Sequence, residues 1–345
     1  MTGVQTCALP ICISILLEHA GKQKAVFTGD TLFIGDCGRP DLREGAGKIQ
    51  ITRLELAKQM YHSLRDKLMI LEDDVLVYPA HGAGTLCGKN LSKESSSTIG
   101  EEKKTNWSLQ DATEEEFVKN LLADQPFFPL YFPFDVELNR KGAAGLQESL
   151  EKIKTSNTVD EKIISGLDKS IWLIDTRSEE DFKRGHLPHS INLMEKGKFE
   201  TWLGSIIKPD EQFYVASNSK EQLQRMLERT AAIGYESQVA EGFVIESGIV
   251  KEEKINVGEL KNHQQDYTIV DVRYTSEVEG KIFQNSIAIP LAEIRSRVNE
   301  IPTDKPIVVH CSGGYRSAAA SSLVHSQLNG IVKVFDLGEA IKLFQ

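Results

Sequence analysis

Ile307-Val308-Val309-His310-Cys311-Ser312-Gly313-Gly314-Tyr315-Arg316-Ser317 reads as a buried strand that stops at a cysteine. Four residues, two of them glycine, separate Cys311 from Arg316. The sequence then turns helical through Ala318, Ala319, Ala320, Leu323 and Val324. Strand, tight loop and helix start together form an anion-binding geometry, because loop amides point inward and the helix N-terminus adds partial positive charge. Such surroundings bias a cysteine toward thiolate, the nucleophilic form. The glycines let the backbone curl where side chains would clash. A buried structural cysteine beside a turn is the plainer reading, since cysteine is often buried. It leaves unexplained why an arginine and a helix start both follow within one short loop. Cys311 is therefore the expected nucleophile. The amides of Ser312, Gly313, Gly314, Tyr315 and Ser317 are expected to ring the anion, and Arg316 either stabilises it or holds the loop.

The four-residue interior selects the chemistry. The tyrosine-phosphatase loop has five residues between Cys and Arg, whereas Ser312 to Tyr315 resembles the six-residue active loop of rhodanese sulfurtransferases, which cradles a persulfide. That resemblance runs from about Val257 to the end of the chain. A phosphatase or arsenate reductase using the same thiolate is the competing enzyme, and a persulfide-sensing module without turnover is the non-enzymatic one.

Working backward, the scaffold occurs twice. Ile174-Asp175-Thr176-Arg177 pairs with Val270-Asp271-Val272-Arg273, and Ser190-Ile191-Asn192-Leu193 with Ser286-Ile287-Ala288-Ile289. Gly234 pairs with Gly330 and Gly242 with Gly338, all at the spacing that separates Asp175 from Asp271. Each copy opens on capping-box spacing, Thr158 with Glu161 and Asn256 with Glu259. Alternating strands and helices imply parallel sheets covered on both faces. Gly185-His186-Leu187-Pro188-His189-Ser190 is a rhodanese hallmark, and the second copy departs from it at Gly280-Lys281-Ile282-Phe283-Gln284-Asn285-Ser286. The repeated Asp-x-Arg is expected to brace the fold by charge-assisted hydrogen bonds. The repeat spacing carries Cys311 onto Val215, within a window that has no cysteine, glycine loop or arginine. The first copy is therefore expected to be non-catalytic. His310 should point away from the loop as a satisfied structural histidine, and His186 and His189 are likewise expected to be structural.

The chain has 345 residues and a net charge of −10, which argues against a nucleic-acid or anionic-membrane surface. No apolar run is long enough to span a bilayer, and no secretory signal pattern is seen. Cys7, Cys12, Cys37, Cys87 and Cys311 are few, scattered and odd in number, so no disulfide framework is expected. A cytoplasmic location fits.

Nearer the start, Ile13 to Leu17 and Lys24 to Phe27 read as a hairpin. Val26 to Asp30 and Val75 to His81 read as strands ending in metal-type donors, with a helix over Arg53 to Leu68 between them. Its apolar face is Ala57, Met60, Tyr61, Leu64 and Leu68. These elements match the C-terminal half of the metallo-β-lactamase fold. The run Gly29-Asp30-Thr31-Leu32-Phe33-Ile34-Gly35-Asp36-Cys37-Gly38-Arg39-Pro40-Asp41-Leu42, with Tyr78-Pro79-Ala80-His81-Gly82-Ala83-Gly84, resembles the persulfide dioxygenase branch. The resemblance implies that Asp30 is an iron ligand, that His81 is the histidine completing a second metal site in two-metal relatives, and that Arg39 lies near the anionic groups of the substrate thiol. It leaves the role of Cys37 open. The family's His-x-His-x-Asp-His motif is absent from the chain. Of an Fe(II) facial triad only Asp30 is present, so iron and dioxygenase activity are expected of an intact parent and not of this chain. A hydrolase of the glyoxalase II kind is the alternative for this domain.

Met1 to Ile11 does not join sensibly to the strand after it and is expected to be non-native sequence ahead of a truncated reading frame. Ser92 to Gln110 reads equally as an exposed linker or as a lining of the substrate channel. Glu114 to Ala123 reads as a helix. The aromatic run Pro126 to Phe134 reads as an ordered arm packed across the first domain.

The resulting expectation is an α/β chain: a partial metallo-β-lactamase αββα sandwich followed by two rhodanese-like α/β domains with parallel sheets. The expected boundaries are 1–12 (non-native), 13–145 (first domain with its arm), 152–248 (non-catalytic copy) and 252–345 (catalytic copy). The resemblance implies sulfur metabolism and sulfide detoxification. The expected partners are a low-molecular-weight thiol persulfide and sulfite or thiosulfate, with no nucleic acid and no membrane, and a homo-oligomer is left open.

Overall fold

The computed structural model describes residues 3–9, 12–43, 51–83, 88, 91–123, 125, 127, 129–157, 159 and 161–345. The capping residue Thr158, Gly84 of the later motif and Cys87 lie outside them. The chain divides into two compact units, Met1–Phe128 and Pro129–Gln345. No helix among the described residues is long and apolar enough to cross a membrane.

In the first unit, strands β1 (Gly3–Leu9), β2 (Cys12–His19) and β3 (Lys22–Gly29) form an antiparallel meander. Two short strands come next, β4 (Leu32–Phe33) and β5 (Asp36–Cys37). Helix α1 (Arg53–Ser63), β6 (Leu76–Pro79), β7 (Ser97–Thr98), α2 (Ile99–Thr105) and α3 (Glu114–Leu122) complete the unit. The main sheet runs β1-β2-β3-β6-β7, with β6 parallel to β3. Within the opening segment, read from sequence as non-native, Gly3–Leu9 forms the edge strand β1. A Thr52–Glu55 capping box starts α1, and the helical path continues through a π-type turn at Leu64–Leu68. The expected face packs inward: Ala57, Met60, Leu64 and Leu68 are buried, and Tyr61 packs against their core.

The stretch Ser92–Gln110 is not a linker. Thr98 caps α2, and buried Asn106 donates to the carbonyls of Phe33 and Asp36 at 3.0 Å and to Glu102. Glu102 in turn accepts the Gly35 amide at 2.9 Å, and Trp107 donates to Asp36 at 2.8 Å. The segment folds because the β4–β5 turn has polar groups that only these side chains satisfy once buried.

Burial alternates along β2, β3 and β6. Leu16, Val26 and Val77 face the helices, while Ile13, Ile15, Phe27, Leu76 and Tyr78 are exposed on the opposite face, with Phe27 stacked on Tyr78 at 5.5 Å. A sheet apolar on both faces is patterned to lie between two layers.

The second unit holds α4 (Tyr131–Lys141), α5 (Leu146–Glu151), β8 (Thr155–Ser156), α6 (Glu161–Gly166), β9 (Trp172–Asp175), α7 (Glu179–Arg184), β10 (Ser190–Asn192), α8 (Phe199–Ile206), β11 (Phe213–Ser217), α9 (Lys220–Ala231) and β12 (Val239–Val244). It continues with α10 (Val257–Asn262), β13 (Thr268–Asp271), α11 (Thr275–Val278), β14 (Ile287–Ala288), α12 (Leu291–Arg297), β15 (Ile307–His310), α13 (Tyr315–Leu328) and β16 (Val334–Asp336). Its two sheets, β10-β9-β11-β12-β8 and β14-β13-β15-β16, are parallel throughout. From Pro129 the aromatic arm belongs to this unit, not to the first domain. Tyr131 and Phe134 meet buried Tyr235 edge-on.

The exposed face of the first sheet gives a direct test. Phe27→Glu should change unfolding free energy by about 1 kcal/mol or less and reduce binding of a hydrophobic dye. Val26→Glu, one residue along on the buried face, should cost about 3 kcal/mol or more in the same denaturant titration.

Candidate active site

β15 is buried along its whole length and ends one residue before Cys311. Cys311 is a free thiol only 2% exposed. The Gly314 amide points at its Sγ from 3.1 Å and the Gly313 amide from 3.5 Å. Ser317 Oγ lies 3.7 Å from the sulfur and donates its own proton to the Gly314 carbonyl at 2.9 Å. Gly314 adopts φ +100, which puts its amide on the sulfur side, and any Cβ there would come within 3.3 Å of the Gly338–Glu339 backbone.

Arg316 lies in the first turn of α13 but does not reach for the sulfur. Its guanidinium grips both oxygens of Glu277, at 2.5 and 2.8 Å, and donates to Ser312 Oγ at 2.8 Å. It also lies 4.9 Å over the Tyr274 ring. Burial works against the Arg316 charge, but the Glu277 carboxylate outweighs it and holds the pKa above the ordinary value. Of the two roles left open by the sequence, the geometry is that of a loop brace. Sequence reasoning misses Glu277 and Tyr274. The available signal is their i,i+3 spacing at a helix start, which the structure realises as a Glu277 carboxylate accepting the Tyr274 amide at 2.9 Å.

The Asp-x-Arg motifs lie beneath the two sheets' ends as buried ion pairs. Arg177 holds Asp175 through Nε and Nη2 and ties in the carbonyls of Gly185 and Glu246. Arg273 repeats the pattern with Asp271 and Gly280. His186 stacks on Phe182 and His189 on Trp172, and burial pushes His186 down to about 4. His310 departs from expectation. Its ring is fully buried, but neither nitrogen has a hydrogen-bonding partner among the described residues, and Asp271 Oδ2 lies 3.8 Å away. Burial holds its pKa below the usual value, against the opposing pull of Asp271.

Strand register corrects the position of the first copy's counterpart to Cys311. Ala216 pairs with Asp175 as His310 pairs with Asp271. The equivalent residue is therefore Ser217, not Val215. The repeat spacing fails locally because the copies differ in the lengths of the flanking connections. Ser217 is buried with its Oγ 2.7 Å from Thr176 Oγ1, and only Asn218 and Ser219 intervene before α9.

In the first unit, Asp30 and His81 do converge, with His81 Nε2 3.2 Å from Asp30 Oδ1 and its ring stacked on Phe33. Arg39 is buried and clamped by both oxygens of Asp41, at 3.0 and 2.5 Å. Two donors fall one short of a two-histidine, one-carboxylate triad. Among the described residues, no group of three His, Cys, Asp or Glu could hold a metal. Asp30 and His81 do not by themselves complete an iron triad.

A family model described as the rhodanese-like domain matches residues 155–250 and 256–345. The chain belongs to the rhodanese-like family. The mitochondrial persulfide dioxygenases ETHE1 of Mus musculus and Homo sapiens are each 34% identical over 110 residues, which is 32% of this chain and 35% of theirs. This chain thus spans about a third of the length of those relatives. A metallo-beta-lactamase structure from Staphylococcus aureus aligns with a TM-score of 0.53 at 27% identity, covering 68% of this chain and 63% of that one. The chain joins a metallo-β-lactamase-like, persulfide-dioxygenase-related unit to two rhodanese-like domains.

Below the loop of the second rhodanese-like copy lies a charged cluster. Asp336 accepts the Gly338 amide at 2.9 Å and pairs with Lys183 at 2.9 Å, and Lys183 also contacts Glu179. Burial, together with Asp336 and Glu179, pushes nearby Glu252 up to about 7 despite Lys183. The folded-state pKa exceeds the unfolded one of about 4.3, so folding takes up a proton. The contribution is therefore full below about pH 4 and lost as pH rises through about 7. Denaturant titrations should show wild type losing stability across that window. Glu252→Gln should flatten the loss and be the more stable chain at pH 8.

Proposed function

We propose that this chain is a sulfurtransferase that carries sulfane sulfur on Cys311 in persulfide and sulfide metabolism. The observation that carries the reading is the four-residue loop whose amides converge on one buried thiol. The Cys311 thiolate attacks the outer sulfur of a thiol persulfide, or the sulfane sulfur of thiosulfate. The S–S bond of the donor breaks and its electron pair leaves with the thiolate or sulfite. Cys311 now bears a persulfide whose terminal charge meets the Gly313 and Gly314 amides and the start of α13. Sulfite, a thiolate or cyanide then attacks the outer sulfur and Cys311 departs as thiolate. No electrons are gained or lost overall. Arg316, locked between Glu277 and Ser312, keeps the amides aimed inward while the sulfur grows by one atom.

The likeness of the first unit to persulfide dioxygenases supports a place beside persulfide oxidation, with sulfite as the acceptor that yields thiosulfate. Asp30 and His81 are the residues it would contribute toward a metal.

Cys311→Ser should reduce thiosulfate:cyanide transfer to the uncatalysed background while leaving the unfolding midpoint unchanged, and retained transfer would sink the assignment. Wild type should not hydrolyse p-nitrophenyl phosphate. The purified chain should hold far less than one iron per molecule after desalting. Tight, near-stoichiometric iron by elemental analysis would overturn the reading of its donor set.

A further inference from the structure

The loop around Cys311 is held from outside by the copy that lacks a cysteine. Tyr315, the residue before Arg316, turns away from the sulfur, and its hydroxyl donates to the Met194 carbonyl at 3.1 Å. Its ring lies over Gly197, where φ is +109 and an added Cβ would approach Tyr315 Cε2 to 2.8 Å. The segment receiving Tyr315 is itself pinned. Arg229 donates to the carbonyls of Glu195 and Gly197 and grips both oxygens of Glu200 at 2.6 Å.

A second contact acts on Arg316. Trp202 of α8, buried in the first copy, stacks on Tyr274 with ring centres 5.7 Å apart and planes 22° apart, and Arg316 covers Tyr274. The body of α13 is fixed as well. The Asn192 amide on edge strand β10 donates to Ser322 Oγ at 2.9 Å, and Ser326 donates to the Ser190 carbonyl at 3.2 Å. Directly or through Tyr274, all three contacts reach the loop or the helix that follows it.

We propose that the cysteine-less copy is a positioning element for sulfur transfer, with Tyr315 and Trp202 as the positioning residues that set the aim of the Gly313 and Gly314 amides. The inference rests on the sulfurtransferase reading for its kinetic arm only. Neither residue touches the sulfur. Loosening Tyr315 lets the first turn of α13 shift relative to β15, and with it the amides that meet the anion.

The test uses the full chain with Tyr315→Phe, which removes one hydroxyl, and Gly197→Ala, which displaces the ring. Tyr214→Phe serves as a control, deleting a first-copy hydroxyl whose partner is the Asp168 amide. Two readouts are taken: the pH profile of iodoacetamide alkylation at Cys311, resolved by peptide mass spectrometry, and kcat and KM for thiosulfate:cyanide transfer. Loss of one hydrogen bond's worth of alignment corresponds to a kcat about 3- to 10-fold lower with KM for thiosulfate within about twofold. The alkylation midpoint is expected to rise in both variants and stay put in the control. Wild-type alkylation and kcat in Tyr315→Phe would overturn the proposal, even if Gly197→Ala fails to fold. If wild type transfers no sulfur, the sulfurtransferase reading fails separately, and the alkylation profiles still decide positioning.

Discussion

If the sulfur of Cys311, only 2% exposed, is to serve as an anion, it needs donors already in place, because a buried anion left unmatched is far costlier than one hydrogen bond can offset. The donors are backbone amides, and they face inward only while Gly314 keeps its left-handed φ. That conformation is in turn packed against the Gly338 backbone, which Asp336 holds by its amide. Asp336 is tied through Lys183 to α7 of the other copy. The loop is thus the end of a chain of constraints that crosses the whole second unit.

This dependence explains how the two copies diverged without either losing its fold. Each keeps the buried Asp-x-Arg pair that joins a strand end to the following loop. In the first copy, Gln222 accepts the Asn218 amide and donates to Thr176, while Thr176 engages Ser217. The Asn218 amide, which could have met an anion, is satisfied by a side chain. In the second copy, Val272 stands where Thr176 does, and the Gly313 and Gly314 amides face the sulfur. The same arithmetic of polar groups gives a closed site in one copy and an open one in the other.

The elements that can be read from sequence are those set by local pattern. The loop from Cys311 to Arg316, the duplicated strands and the face of α1 follow from spacing alone. Partners distant in sequence cannot be read that way. Glu277 lies in a charged turn that resembles any solvated one until Arg316 folds onto it. Asn106 and Glu102 look like linker residues until the β4–β5 turn presents its carbonyls. Counting positions also fails where two connections change length in opposite directions, and only strand pairing identifies Ser217. Buried polar groups are usually satisfied, which is why a bonded His310 is the natural expectation. Its ring instead fills space beside Phe283 at 5.0 Å.

The first unit shows how much backbone pairing alone preserves. Asp30 and His81 are some fifty positions apart in sequence, yet Gly29 registers with Pro79, and the Ala80 amide donates to the Gly29 carbonyl at 3.2 Å. The β3–β6 ladder therefore brings the two side chains together by itself, to 3.2 Å between His81 Nε2 and Asp30 Oδ1. Convergence of donors is a property of the sheet. Affinity for a metal is a property of donor number, and each missing ligand removes a bond that water must replace. Strand pairing can thus set two donors side by side without fixing how many donors a site holds.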